Sequence, residues 1–175
     1  GVAGAVQGDR QRPGNLRQPV AEASYDAWVK YWRGTEQAFN LESDYYGKGS
    51  AVSLLLDLEI RHRSSGAASL DDVMRTMYAR FPLSGPGYTL ADFRGVCEEY
   101  AKGSLDEFFR NYVAGTAPLP WETSLSHAGL ALAPKDSTAK PWIGLQTADA
   151  GDRTRVVRVV DGSPGALAGI DLGDE

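Results

Sequence analysis

The chain has 175 residues, 42% of them hydrophobic, and a formal net charge of −5, enough for one good core or for a core with a small second unit. An acidic balance with scattered basic residues argues against nucleic acid as a main partner, and no stretch reads as a signal peptide or a membrane span. The single cysteine, Cys97, excludes an intramolecular disulfide and reads as a buried thiol on an apolar helix face.

Gly1 to Val20 is rich in Gly, Gln and Arg and reads as a loop, frayed at its start. Ser24 is placed to cap a short helix from Tyr25 to Trp32. Tyr25, Trp28, Val29 and Trp32 recur at helical spacing there, and such an aromatic stripe is expected to be core. Gly34 to Ser43 reads as a connector. Asp44-Tyr45-Tyr46-Gly47-Lys48-Gly49 then launches a central helix from Ser50 to about Arg63. Apolar residues occupy most of its circumference, so it is expected to pack on several sides. Asp57/Arg61 and Glu59/Arg63 are four apart with the acid first, the favourable order.

Three punctuated helices follow. Ser69 and Asp72 cap Leu70 to about Phe81, with Leu70, Val73, Met74, Met77 and Phe81 inward. Thr89 and Asp92 cap Leu90 to Lys102, whose face is Phe93, Val96, Cys97 and Tyr100, and Gly103 closes it. Ser104 and Glu107 form a capping box for Leu105 to Ala114, closed by Gly115. Short links imply an antiparallel helical bundle. Trp121 to Ala128 reads as a last short helix. Pro134 to Pro141 reads as a linker, and the composition then changes. Trp142–Thr147 and Arg155–Val160 are strand candidates around a turn at Asp149–Asp152, and Gly165–Gly169 reads as one helical turn.

The expected fold class is therefore mainly α, an antiparallel helical bundle followed by a small β-rich unit. The divisions are a loop over 1–20, a helical lobe over 21–134, a linker over 135–141 and a small unit over 142–175. Gly1 and the closing Gly173-Asp174-Glu175 read as the ends of a fragment.

Metal and nucleophile motifs are missing: there is no HExxH, CxxC, GxSxG or calcium-type acidic loop. The two histidines, His62 and His127, lie on different segments without ligand-like spacing and read as structural. No metal ligand is expected in this chain. On local pattern alone, Tyr45 and Tyr46 read as packed tyrosines in a glycine-bearing first turn. The glycines cost helix propensity, about 1 kcal/mol each, which suggests a close approach of backbone or ligand.

Tyr46-Gly47-Lys48-Gly49 before an apolar helix resembles the Y-x-K-G segment of gluzincin metalloaminopeptidases. The wider match is to the PDZ-containing glycyl aminopeptidase family. It is carried by Ser24-Tyr25-Asp26-Ala27-Trp28, Tyr45-Tyr46-Gly47-Lys48-Gly49, Leu54-Leu55-Leu56-Asp57-Leu58-Glu59-Ile60-Arg61 and Phe108-Phe109-Arg110-Asn111-Tyr112-Val113-Ala114-Gly115-Thr116. Trp142 to Asp174 separately resembles the start of a bacterial-type PDZ domain, with Ile143-Gly144-Leu145 as the peptide-carboxylate loop. Ser163-Pro164-Gly165-Ala166-Leu167-Ala168-Gly169-Ile170 follows that pattern, except that Gly165 stands where Ala is usual and Ile170 where Leu is usual. The remaining helix and strands of such a unit are missing, so its peptide groove is expected to be incomplete.

The resemblance implies a zinc aminopeptidase acting on peptides, with glycine preferred at the N-terminus. Its zinc ligands would lie outside this chain, and the chain alone would be inactive. Tyr46 would donate its phenol proton to the oxyanion, while Tyr45 is one place out of register and Lys48 holds the turn. The resemblance also implies peptide C-termini as partners of a complete PDZ unit. Unpaired strand edges in 142–175 invite dimerisation. The alternative is a scaffold or peptide-binding module with a PDZ-like tail.

Overall fold

The computed structural model describes residues 1–133 and 141–175. The expected linker over 135–141 lies, but for Pro141, outside the described residues. The fold is mainly helical with one two-stranded antiparallel sheet. It divides into two compact units: residues 1–48 with 133–175, and residues 49–132. The expected division is redrawn accordingly, since the segment after the linker groups with the N-terminal 48 residues.

In the first unit, the expected N-terminal loop is instead helix α1, Val2–Gln11, followed by a 3-10 turn at Pro13–Leu16. Val6 supplies the buried anchor of α1. Gly4 and Gly8 weaken helix propensity but leave its backbone pattern intact. Helix α2 runs Val20–Asp26, earlier than the Tyr25–Trp32 helix expected from Ser24. The cause is Pro19, whose fixed φ of −59° sits at the N-cap and sets the helix to begin at once. That phase buries Val20, Ala23 and Ala27. The aromatic stripe consequently faces outward: Tyr25 and Trp28 are each 88% exposed, and Val29 and Trp32 are also exposed. The core assignment of that stripe is overturned.

A 3-10 turn at Tyr31–Arg33 and a short helix α3, Ala38–Leu41, occupy the expected connector. Strands β1, Leu145–Ala150, and β2, Arg153–Val159, form a hairpin closed by Gly151-Asp152. Gly151 has φ +79°, the conformation required at the first central position of a type II′ turn. A bulge between Gln146 and Thr147 shifts the register, leaving Val157 unpaired opposite them. Helix α9, Pro164–Leu167, is capped by Ser163, whose Oγ accepts from the Ala166 N–H at 3.2 Å.

The second unit is built on α4, Tyr45–Arg63, which begins five residues earlier than expected. Ala51, Val52, Leu55, Leu56 and Ile60 are buried along it. Its polar end carries the two expected pairs, Arg61–Asp57 at 2.7 Å and Arg63–Glu59 at 2.6 Å. Helix α5, Leu70–Arg80, has the Ser69/Asp72 capping box, and α6, Leu90–Ala101, has that of Thr89/Asp92. Val73, Met77, Val96 and Cys97 fill the core, whereas Met74 is 54% exposed, against the inward position expected for it. Lys102, with φ +55°, takes the left-handed position at the end of α6 that had been expected of Gly103.

The third expected helix is broken. Glu98 Oε1 accepts the Leu105 N–H at 2.9 Å, and Ser104 Oγ accepts the Asp106 N–H at 3.2 Å. Helix α7 is then only Asp106–Phe108, followed by a π-helical turn at Phe109–Val113. Gly115 permits the exit: a Cβ there would lie 2.6 Å from the Arg110 carbonyl oxygen. Helix α8, Trp121–Ser126, seats Trp121 at 1% exposure.

Candidate functional site

The site singled out in the sequence lies at the first turn of α4, and buried polar side chains build it from below. Asn15, 2% exposed, is the hub. Its Oδ1 accepts from Ser43 Oγ at 3.1 Å and from the Asp44 N–H at 3.2 Å. Its Nδ2 donates to Asp9 Oδ1 at 3.2 Å, and its carbonyl accepts from Lys48 Nζ. Gln18 adds a second tie, accepting the Ser43 N–H at 3.0 Å. Such satisfied networks fix a loop firmly because each buried group left alone would be costly.

Lys48 is 1% exposed, so its cation belongs to this support and faces inward. Burial pushes its pKa down, against the opposing pull of Asp9. Asp44 Oδ1 accepts the Tyr46 N–H at 3.2 Å and so caps the helix. Gly47 makes room for that cap: a Cβ there would meet Asp44 Oδ2 at 2.6 Å. Gly14 serves the same purpose one layer down, where a Cβ would lie 2.1 Å from the Glu42 carbonyl oxygen. Arg12 braces this turn, donating to the Glu42 carbonyl at 2.9 Å and lying over the Phe39 ring.

On this base stand three tyrosines. Tyr45 and Tyr46 have ring centroids 4.2 Å apart, tilted by 32°. Tyr31 meets both edge-on, at 5.0 Å and 5.6 Å, and Trp32 meets Tyr31 at 5.5 Å. Tyr46 is 60% exposed, so its phenol is presented to the outside. A hydrogen bond to Tyr46 is the chief reason the Tyr45 phenol is pushed up to about 12. The adjoining cleft is only about 90 Å³, lined in part by Arg12, Asp26, Lys30, Tyr31 and Tyr45. That volume is below the range of a small-molecule pocket. This unit can therefore offer a donor, a rigid base and an aromatic face.

At the other end of the same unit, Ile143 is 57% exposed and Gly144 has φ +76°. A Cβ on Gly144 would lie 2.1 Å from Ser163 Cβ, and Ser163 is buried. The carbonyls of Ile143 and Gly144 accept from Gly165 N at 2.9 Å and Val160 N at 2.8 Å, while Leu145 enters β1. Gly165 packs tightly too, since a Cβ would meet Leu145 Cδ2 at 2.7 Å and the Ile143 carbonyl oxygen at 2.9 Å. The glycine in place of the usual Ala is therefore matched to its surroundings.

The residue missed by sequence reasoning is Asn40, 3% exposed. Its Nδ2 donates to the Val159 carbonyl at 2.8 Å and its Oδ1 accepts the Asp161 N–H at 3.1 Å. Arg17 pairs with Asp161 at 2.8 Å, and the Arg158 guanidinium lies 4.4 Å from the Phe39 ring centroid. These contacts tie residues 158–161 to α3. A lone Asn in a polar connector carries no sequence signal for such a role.

The residues present do not fit zinc. Among the described residues no group of three His, Cys, Asp or Glu is placed to hold a metal ion. His62 and His127 do meet within the second unit, contrary to the separation expected from sequence. Their rings stack at 3.7 Å and 7°, so their in-plane lone pairs run parallel and do not converge. Glu59 lies 3.9 Å from His127 Nδ1. Cys97 is buried, which pushes its thiol up to about 12 and keeps it protonated at neutral pH.

A comparison with curated proteins gives no match. A family model described as M61 glycyl aminopeptidase matches residues 1–52, a span that runs from α1 through the tyrosine-bearing turn, and this match supports that peptidase family.

Proposed function

We propose that this chain is the non-metal part of a zinc-dependent aminopeptidase and that Tyr46 is its oxyanion donor. The observation that carries the reading is an exposed phenol on a rigid, capped helix start, inside the span matched by the aminopeptidase family model. Attack on a peptide carbonyl places negative charge on its oxygen. A phenol O–H fixed toward that oxygen stabilises the charge more in the transition state than in the substrate. Asn15, Lys48 and Asp44 contribute by holding the turn that carries Tyr46. Zinc is assigned to residues outside this chain, and the peptides acted on would be those with an N-terminal residue, glycine preferred, to remove.

In the full-length enzyme, Tyr46→Phe is expected to lower kcat about 100- to 1000-fold with zinc content unchanged. An unchanged kcat would remove Tyr46 from the reaction. The 175-residue chain alone is expected not to turn over a glycyl anilide, and turnover by it would overturn the division of labour.

For residues 142–175 we propose the beginning of a PDZ unit, with Ile143, Gly144 and Leu145 as its peptide-carboxylate loop. The hairpin, the left-handed Gly144 and the Ser163-capped turn support it. The same edges would pair two copies, which sedimentation at high concentration would reveal as a dimer. Micromolar binding of C-terminal peptides to this chain would favour the reading as a peptide-binding module instead.

A further inference from the structure

We propose that Tyr45 is a positioning residue, directing its O–H to the Tyr46 oxygen so that the Tyr46 proton is left to point outward. This rests on the reading of Tyr46 as donor. A phenol oxygen both donates and accepts, and its hydrogen rotates freely unless a neighbour claims the lone pair. Tyr46 is exposed, so water would compete for either role. The parallel-leaning rings of Tyr45 and Tyr46, 4.2 Å apart, bring the two hydroxyls to the same side of the helix start. Tyr31, edge-on to both, opposes rotation of either ring away from the other.

With Tyr45 donating, the Tyr46 oxygen carries an accepted hydrogen bond, and its own proton is strengthened as a donor by cooperativity. No proton is transferred; the arrangement only fixes a direction before substrate arrives, the condition under which an oxyanion donor is effective. The elevated titration of Tyr45 agrees with a proton held by its neighbour. In strict register Tyr45 is one residue away from the donor position, yet adjacency in the first turn is what lets it serve the donor.

The test has two arms. On the 175-residue chain, ring-carbon NMR with assigned tyrosines follows the Tyr45 titration. Tyr46→Phe should bring it down from about 12 toward its ordinary value of 10.0, because the acceptor is gone. An unmoved Tyr45 titration would overturn the proposal while leaving the donor reading of Tyr46 intact. In the full-length enzyme, Tyr45→Phe keeps the ring stack but removes the hydroxyl. It should lower kcat about three- to tenfold with KM unchanged. Tyr45→Leu, which also removes the stack, should lower kcat further. A Tyr45→Phe enzyme with wild-type kcat beside a Tyr46→Phe enzyme that has lost activity would again overturn the proposal alone. Wild-type kcat in Tyr46→Phe would overturn the donor reading and this proposal together.

Discussion

The two units hold themselves together by different means. Residues 49–132 depend on apolar helix faces closed by local caps: Val73, Val96, Cys97 and Trp121 are buried, and Ser69/Asp72 and Thr89/Asp92 end the helices that carry them. Residues 1–48 with 133–175 have a thinner apolar core and rely on buried amides. Asn15 joins α1, the turn after it and the start of α4, and Asn40 joins α3 to the end of β2. Apolar faces tolerate small shifts of packing, while amide hubs specify direction. A unit whose proposed task is to aim a phenol is built with the second device.

That contrast is sharpest at one residue of each kind. Trp121→Ala should cost the most, about 3–5 kcal/mol, read as a lower denaturation midpoint. A loss below 1 kcal/mol would show that the second unit does not depend on its largest buried side chain. Asn15→Ala should cost about 2–3 kcal/mol by stranding buried partners. Its effect should appear in hydrogen exchange as faster loss of protection at both Val2–Gln11 and the first turn of α4. Protection lost in only one of those places would break the view of Asn15 as a hub.

The smallest effect belongs to the caps. Thr89→Ala should cost about 1 kcal/mol. The Asp92 carboxyl is held below its ordinary value of 3.8, first by the Thr89 hydroxyl and then by the Thr89 N–H. A lowered folded-state value means stabilisation present above pH 3.8 and lost as pH falls through the lowered one. Asp92→Asn should therefore flatten the acid limb of the stability profile, and an unchanged limb would show that the cap contributes nothing there.

Legibility in the sequence followed the same line. The caps at Ser69 and Thr89, the Asp57/Arg61 and Glu59/Arg63 pairs and the existence of the hairpin are local patterns, and each was readable within a few residues. The box at Ser104/Glu107 failed because Glu98, seven residues before Leu105, takes the N–H that the box needed. In the first unit the decisive partners are remote: Asn15 bonds across 29 residues to Asp44, and Asn40 across 119 to Val159. No periodicity reports such bonds. The aromatic stripe misled because helical spacing reveals a face but not which side of it is buried, and Pro19 set a phase that turned Val20, Ala23 and Ala27 inward instead. The tyrosine turn itself was visible through its residues, but its dependence on Asn15 and Gly14 was not.

The buried ammonium of Lys48 has a practical corollary. Amine acylation requires an uncharged, accessible nitrogen, and this one is enclosed by the Asn15 carbonyl and the turn above it. Lysines on the surface would react at once, whereas Lys48 would wait for the tyrosine turn to lift. Its labelling rate is thus a clock for that opening, readable by mass spectrometry without any substrate, and it times the interval during which the phenol above it holds a fixed aim.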